Sequence, residues 1–278
     1  MELTTRTVYG SRLQTMQFSK LPFSTEQNTT LNEKFGVLAG VNPNVGEYPA
    51  ARYYAIGNGG HKLATGTGGI PLTEDNQHLS TDAALYKHLP FVLRATNNDI
   101  SNAEQQKYGL RKQITVGGQP YFAYWLKRIP TDEAVVSTLI QTVNGDTVTT
   151  AAFVPTPDNL DPIPPVLNPD QVNLLSGQYA DVSATLPLIL TAAECTELLN
   201  AAETMYGDPK YAIISEVALC AGVDYPITLP NSNTMNEVIA CQVMAFFNSM
   251  HVIQSMAAGI NGTFDVGTNE PLLILNTI

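Results

Sequence analysis

Thr234-Met-Asn-Glu-Val-Ile-Ala-Cys-Gln-Val-Met-Ala-Phe-Phe-Asn-Ser-Met-His-Val-Ile-Gln-Ser-Met-Ala-Ala-Gly259 is the stretch whose reading decides the fold. Val238, Ile239, Cys241, Met244, Phe246, Phe247, Met250 and Ile253 cover most of the circumference of a helical projection. Thr234 and Glu237 stand at capping-box spacing, and Gly259 suits a helix end. The expectation is one long buried helix over Met235–Ala258, because a helix apolar nearly all round belongs in a core or an interface. Glu237, Gln242, Asn248, His251 and Gln254 interrupt the run, which argues against a membrane span. His251 reads as a hydrogen-bonded core histidine rather than a ligand.

Upstream of that stretch, Tyr211 to Leu219 reads as an apolar strand or buried segment. Thr191-Ala-Ala-Glu194 is a second capping box. The helix it opens carries Cys195, Leu198, Leu199 and Ala202 on one face, and Gly207 closes it. Tyr179 to Leu190 is β-prone, and Leu272–Leu275 would make a last short strand. Pro155, Pro157, Pro162, Pro164, Pro165 and Pro169 form a stiff run that fits neither a helix nor a central strand. It is read as a linker over residues 155–169, with an α+β domain over 170–278.

Residues 36–154 read as β-rich. Leu110 to Val116 and Tyr121 to Ile129 flank Gly117-Gly118 as a hairpin, with apolar residues on both faces of the second run, so both faces should be covered. Ala134 to Val143 and Asp146 to Val154 flank Asn144-Gly145, the signature of a type I′ turn. Ser101-Asn-Ala-Glu104 could start one short helix. Residues 1–35 show no period but scatter Phe18, Leu21 and Phe23 through polar sequence. They read as an extended arm whose three apolar side chains are the candidate interface; a loop-rich start to the domain is the alternative. The expected class is therefore α+β: a β-rich N-terminal part with hairpins, then a smaller α+β part around one long buried helix.

Charge and chemistry narrow the function. The 278 residues are 44% hydrophobic and 14% charged, which gives enough apolar material for a core and less charge than soluble domains usually carry. The net charge is −11, which disfavours a nucleic-acid binder. Thirteen of the 14 basic residues precede residue 131, with nine acids; Lys210 alone faces 16 acids in the remainder. Halves of opposite sign can attract within one subunit or between subunits, or can simply be two differently composed surfaces. Cys195, Cys220 and Cys241 have neither disulfide nor zinc spacing and read as buried thiols. The N-terminal residues lack the apolar core of a signal peptide.

The Gly-rich segment 57–69 lacks the Lys-Ser/Thr of a phosphate cradle and reads as a mobile surface or interface loop. No catalytic motif of known spacing brings nucleophile, acid or base together, so no catalytic, cofactor or metal residues are expected, and no enzyme.

Two stretches carry a resemblance. One is Tyr108-Gly-Leu-Arg-Lys-Gln-Ile-Thr-Val-Gly-Gly-Gln-Pro-Tyr-Phe-Ala-Tyr-Trp-Leu-Lys-Arg-Ile129. The other runs from Ser176-Gly-Gln-Tyr-Ala-Asp-Val-Ser-Ala184 through Glu197-Leu-Leu-Asn-Ala201 to Tyr211-Ala-Ile-Ile-Ser-Glu-Val-Ala-Leu-Cys-Ala-Gly-Val-Asp224. They resemble virion structural proteins of large (jumbo) contractile-tailed bacteriophages, over about a third of the chain. The resemblance implies a non-enzymatic virion part, assembled in the host bacterial cytoplasm, in several symmetric copies. A tail baseplate (wedge) component is favoured over a neck/collar or capsid-associated one. It implies as partners other virion structural proteins and copies of itself; charge, composition and the lack of motifs lead to the expectation of no nucleic acid, membrane, small-molecule substrate or cofactor. It carries over no functional residue. A tail-associated carbohydrate-binding or hydrolytic protein is the rival of a different class; it would need a cleft with aromatics and paired carboxylates.

Overall fold

The computed structural model describes residues 3–23, 41–65, 71–132, 134–162, 164, 178–229, 232–253 and 259–272. In chain order the elements are β1 (Leu3–Arg6), α1 (Val8–Ser19), β2 (Ala50–Gly57), β3 (His61–Thr65), β4 (Pro71–Asp75), β5 (His88–Leu89), β6 (Val92–Ala95), α2 (Asn102–Gln105), β7 (Tyr108–Val116), β8 (Gln119–Arg128), β9 (Val136–Asn144), β10 (Thr147–Ala152), α3 (Pro157–Leu160), β11 (Gln178–Leu190), α4 (Ala192–Tyr206), a 3₁₀ turn (Pro209–Tyr211), β12 (Ile213–Thr228), β13 (Thr234–Val252) and β14 (Ile260–Pro271).

The protein is mostly β rather than α+β. Among the described residues there are three sheets, and no helix exceeds the 15 residues of α4. The stretch expected as the long buried helix is β13, a 19-residue strand. It pairs antiparallel with β12 along its length and with β1 from Ala245 to Asn248. Burial on all sides is the property a central strand covered on both faces shares with a buried helix, and periodicity cannot separate the two. The Val, Ile and Phe content of the run favours the strand. Three register shifts against β12 and a positive φ of 52° at Ala240 let so long a strand bend. Glu237, read as a capping residue, is instead a buried side chain on that strand.

Contacts divide the chain into two compact units. Unit 1 is Met1–Ile129 with Leu188–Asn261; unit 2 is Pro130–Pro187 with Gly262–Ile278. This differs from the expected 36–154 and 170–278, because β12 pairs with β2 as well as β13, so late and early strands share one sheet. Unit 1 holds that eight-stranded sheet, in the order β1-β13-β12-β2-β8-β6, with β5 on β2 and β7 on β8. Its core includes Tyr53, Trp125, Leu126, Val238, Val243 and Phe246. Both faces of β8 are buried from Ala123 to Lys127. In unit 2 the strands of the four-stranded sheet run β10-β9-β11-β14.

Residues 3–19 are not an extended arm. β1 joins the main sheet, and Thr7 caps α1, accepting from the Gly10 N–H while donating its hydroxyl to Val243 O at 2.6 Å. Gly10 lets the helix lie against β13, since a Cβ there would meet the Met244 carbonyl at 2.7 Å. The two hairpins form as expected, but the Asn144-Gly145 turn is not the expected type I′. Gly117 and Gly118 both have positive φ, as type I′ requires. In the other, Asn144 pairs with Thr147 and Gly145 alone is positive, which fits type II′. α4 starts on the Thr191–Glu194 capping box and ends on Gly207, as read. Within the expected linker the described residues include α3, capped by Thr156 and Asn159. Residues 24–35, 66–70, 165–177 and 273–278 lie outside the described residues, as does the His251 side chain.

Candidate functional site

Glu216 of β12 is fully buried, and its carboxylate is saturated. Oε1 accepts the N–H groups of Gly59 at 3.0 Å and Lys87 at 2.9 Å; Oε2 accepts that of Tyr86 at 2.9 Å and faces His78 Nε2 at 2.9 Å. His78 Nδ1 lies 3.2 Å from Asp82 Oδ2. The imidazole is sandwiched between Tyr86, at 4.3 Å between ring centroids, and Phe246, at 3.8 Å. Gly57, Gly59 and Gly60 let the backbone close on β12: a Cβ on Gly57 would sit 2.4 Å from Glu216 Oε1, and one on Gly60 2.3 Å from Ser215 O. So 57–60 is packed against β12 and is not a mobile surface loop.

A Glu–His–Asp string has the groups of an acid/base relay. Here the His78 and Glu216 side chains have no exposure, and backbone donors occupy the Glu216 oxygens. The arrangement fastens the 78–87 segment to the main sheet and leaves no face for a substrate. Sequence reading missed it, because 138 residues separate His78 from Glu216.

Part of the charge asymmetry of the sequence is answered inside unit 1. Lys127 of β8 reaches Glu194 of α4 at 2.6 Å, Arg94 pairs with Glu197, and Arg128 pairs with Asp224. In each, a cation from the first half meets an acid from the second. Asp99 is held by Arg111 at 2.7 Å and by the Tyr124 hydroxyl at 2.7 Å. Burial pushes the Glu237 carboxyl up to about 7, against the pull of nearby Lys112 and of the Val238 and Arg111 N–H groups. The three cysteines are buried and unbridged. Among the described residues no group of His, Cys, Asp and Glu has the arrangement of a metal site, and no helix is long and apolar enough to cross a membrane.

The candidate interface residues fall at the end of α1. Phe18 is 91% exposed, Leu21 51%, and Phe23 is half-buried. The Tyr48 hydroxyl donates to Leu21 O at 2.8 Å, and Phe23 joins Lys20, Pro22, Pro43, Val45 and Tyr48 around a cleft of about 300 Å³. Phe23 thus packs locally, while Phe18 and Leu21 present apolar surface.

Unit 2 is a surface more than a core. Among its described residues only Leu186 and Phe264 are buried, whereas Val135, Val136, Val148, Val154 and Leu160 are each more than half exposed. Its sequence contains nine Asp and Glu and no Lys, Arg or His, a net −9; unit 1 holds 14 basic against 16 acidic residues, a net −2.

The family of unknown function DUF7208 matches over residues 1–278. The chain belongs to the DUF7208 family. Comparison with curated proteins and with solved structures gives no match. The geometry available to this DUF7208 chain is therefore a well-tied unit 1 and a thin, acidic, apolar-studded unit 2. That arrangement can present surfaces to other proteins; its buried carboxylates are engaged in holding the fold.

Proposed function

We propose that this chain is a non-enzymatic structural subunit of a bacteriophage virion, a tail baseplate (wedge) component that holds neighbouring subunits together. The observation that carries the reading is unit 2. A single four-stranded sheet with two buried apolar side chains among its described residues buries too little to stand alone, and it exposes β-branched residues that another surface can cover. The sequence resemblance to virion proteins of contractile-tailed phages supplies the particle. Exposed Phe18 and Leu21 offer a second contact region.

The test is to purify particles of the phage that encodes this chain from its infected host, identify their proteins by mass spectrometry, and locate the chain in an electron-microscopy map. The expected result is several symmetric copies in the baseplate. Copies at the neck or on the capsid would keep the structural role and change its place. Absence from the particle would overturn the reading.

A further inference from the structure

We propose that unit 2 docks a basic partner protein by adding one of that partner's strands to the free edge of β10. The inference names partner chemistry for the assembly role above and rests on that role.

β10 and β14 are the edges of the four-stranded sheet. Natural edge strands are blunted by charge, proline, glycine kinks or bulges, because a bare edge templates pairing. β14 carries Asp265, Gly267, Glu270 and Pro271. β10, Thr-Val-Thr-Thr-Ala-Ala, carries none of these, pairs with β9 in unbroken register, and is exposed at all six residues. Phe153 donates its N–H to Thr138 O at 2.9 Å, so Thr147, Thr149 and Ala151 share that orientation toward β9. The N–H and C=O groups of Val148, Thr150 and Ala152 point the other way, and among the described residues no strand pairs with them. Val148, 57% exposed, stands opposite Val143, 40% exposed, and gives an arriving strand an apolar pair to pack on.

Charge selects the occupant. With nine acids and no cation in unit 2, a second copy of the same sheet would bring like charge to like charge. The 14 cations of unit 1 are already matched by 16 acids of its own. A strand from another protein with basic flanks meets both the open backbone and the field.

The test uses the full chain with two labelled synthetic peptides, one alternating Val with Lys and one alternating Val with Glu. The Lys peptide should bind, about tenfold more weakly when salt rises from about 0.05 M to about 0.5 M, and the Glu peptide should not. Thr150→Pro removes an outward N–H and leaves the β9 ladder intact, so it should lose Lys-peptide binding while the melting curve holds. If that variant unfolds, Thr150→Lys, which puts a repelling charge on the same edge, should lose it instead. Equal binding of both peptides, binding of neither, or wild-type binding by a folded edge variant would overturn the proposal. So would self-association that strengthens with salt, which would make a second copy the occupant. These outcomes are independent of where mass spectrometry places the chain.

Discussion

The ammonium of Lys127, on β8 of the eight-stranded sheet, lies 2.6 Å from the carboxylate of Glu194 in the first turn of α4. Both side chains are about nine-tenths buried. Burial pulls the Lys127 pKa down. Burial would raise Glu194, but hydrogen bonds from Lys127 and Thr191 hold it below the usual carboxylate range. Lys127 also donates to Ile189 O at 2.6 Å. Removing the acid strands a buried cation, so Glu194→Ala should cost about 3 kcal/mol in urea unfolding. Lys127→Met should cost less, because the Thr191 N–H and hydroxyl still donate to Glu194 Oε2. Equal losses would mean the pair carries no desolvation asymmetry.

Glu237 makes stability depend on pH. Its folded pKa of about 7 is raised above the ordinary 4.5 by burial. The stability attached to a raised carboxyl is fully present below the unfolded pKa and is lost as pH rises through the folded one. Between about pH 4.5 and 7 the wild type should therefore lose about 3 kcal/mol from this group. Glu237→Gln should be more stable than wild type at pH 8 and match it at pH 4. Parallel stability curves would refute the assignment.

Gly60 tests the packing around Glu216. A methyl group there meets backbone, the Ser215 carbonyl at 2.3 Å, which a rotamer change cannot relieve. Gly60→Ala should lower stability by about 2 kcal/mol or more, read from the thermal midpoint. A neutral variant would show that this loop is free to move.

Phe246 and Phe18 should behave oppositely. Phe246 is fully buried against His78, so Phe246→Ala should cost about 3–5 kcal/mol. Phe18 is 91% exposed, and Phe18→Ser should leave the isolated chain within about 0.5 kcal/mol of wild type. A large loss at Phe18 in the isolated chain would mean it packs within its own fold.

Elements that announce themselves through local chemistry were legible in the sequence. The Gly117-Gly118 and Asn144-Gly145 hairpins and the Thr191 capping box each bring their partners together within a few residues. β13 was not legible as a strand, because its apolar periphery erased the alternation that marks a half-exposed one. α1 was hidden by Gly10 in its first turns and by a face on which only Gly10 and Leu13 are buried. The Glu216 brace could not be read, since it joins loops to a strand far along the chain. β10 shows in the sequence as six uncharged residues after a turn, but only the strand order makes it an edge.

The two units interleave along the chain, and this sets when each can fold. Leu3 sits opposite Asn248, so β1 cannot dock until residues up to about 248 have left the ribosome. β9 and β10 emerge well before β14 but must wait for residues beyond 261 to complete their sheet. Such high contact order slows folding and leaves apolar strands uncovered during synthesis. Translation that stops short of β13 therefore yields neither unit in finished form, and the strands already made stay uncovered until synthesis passes residue 261.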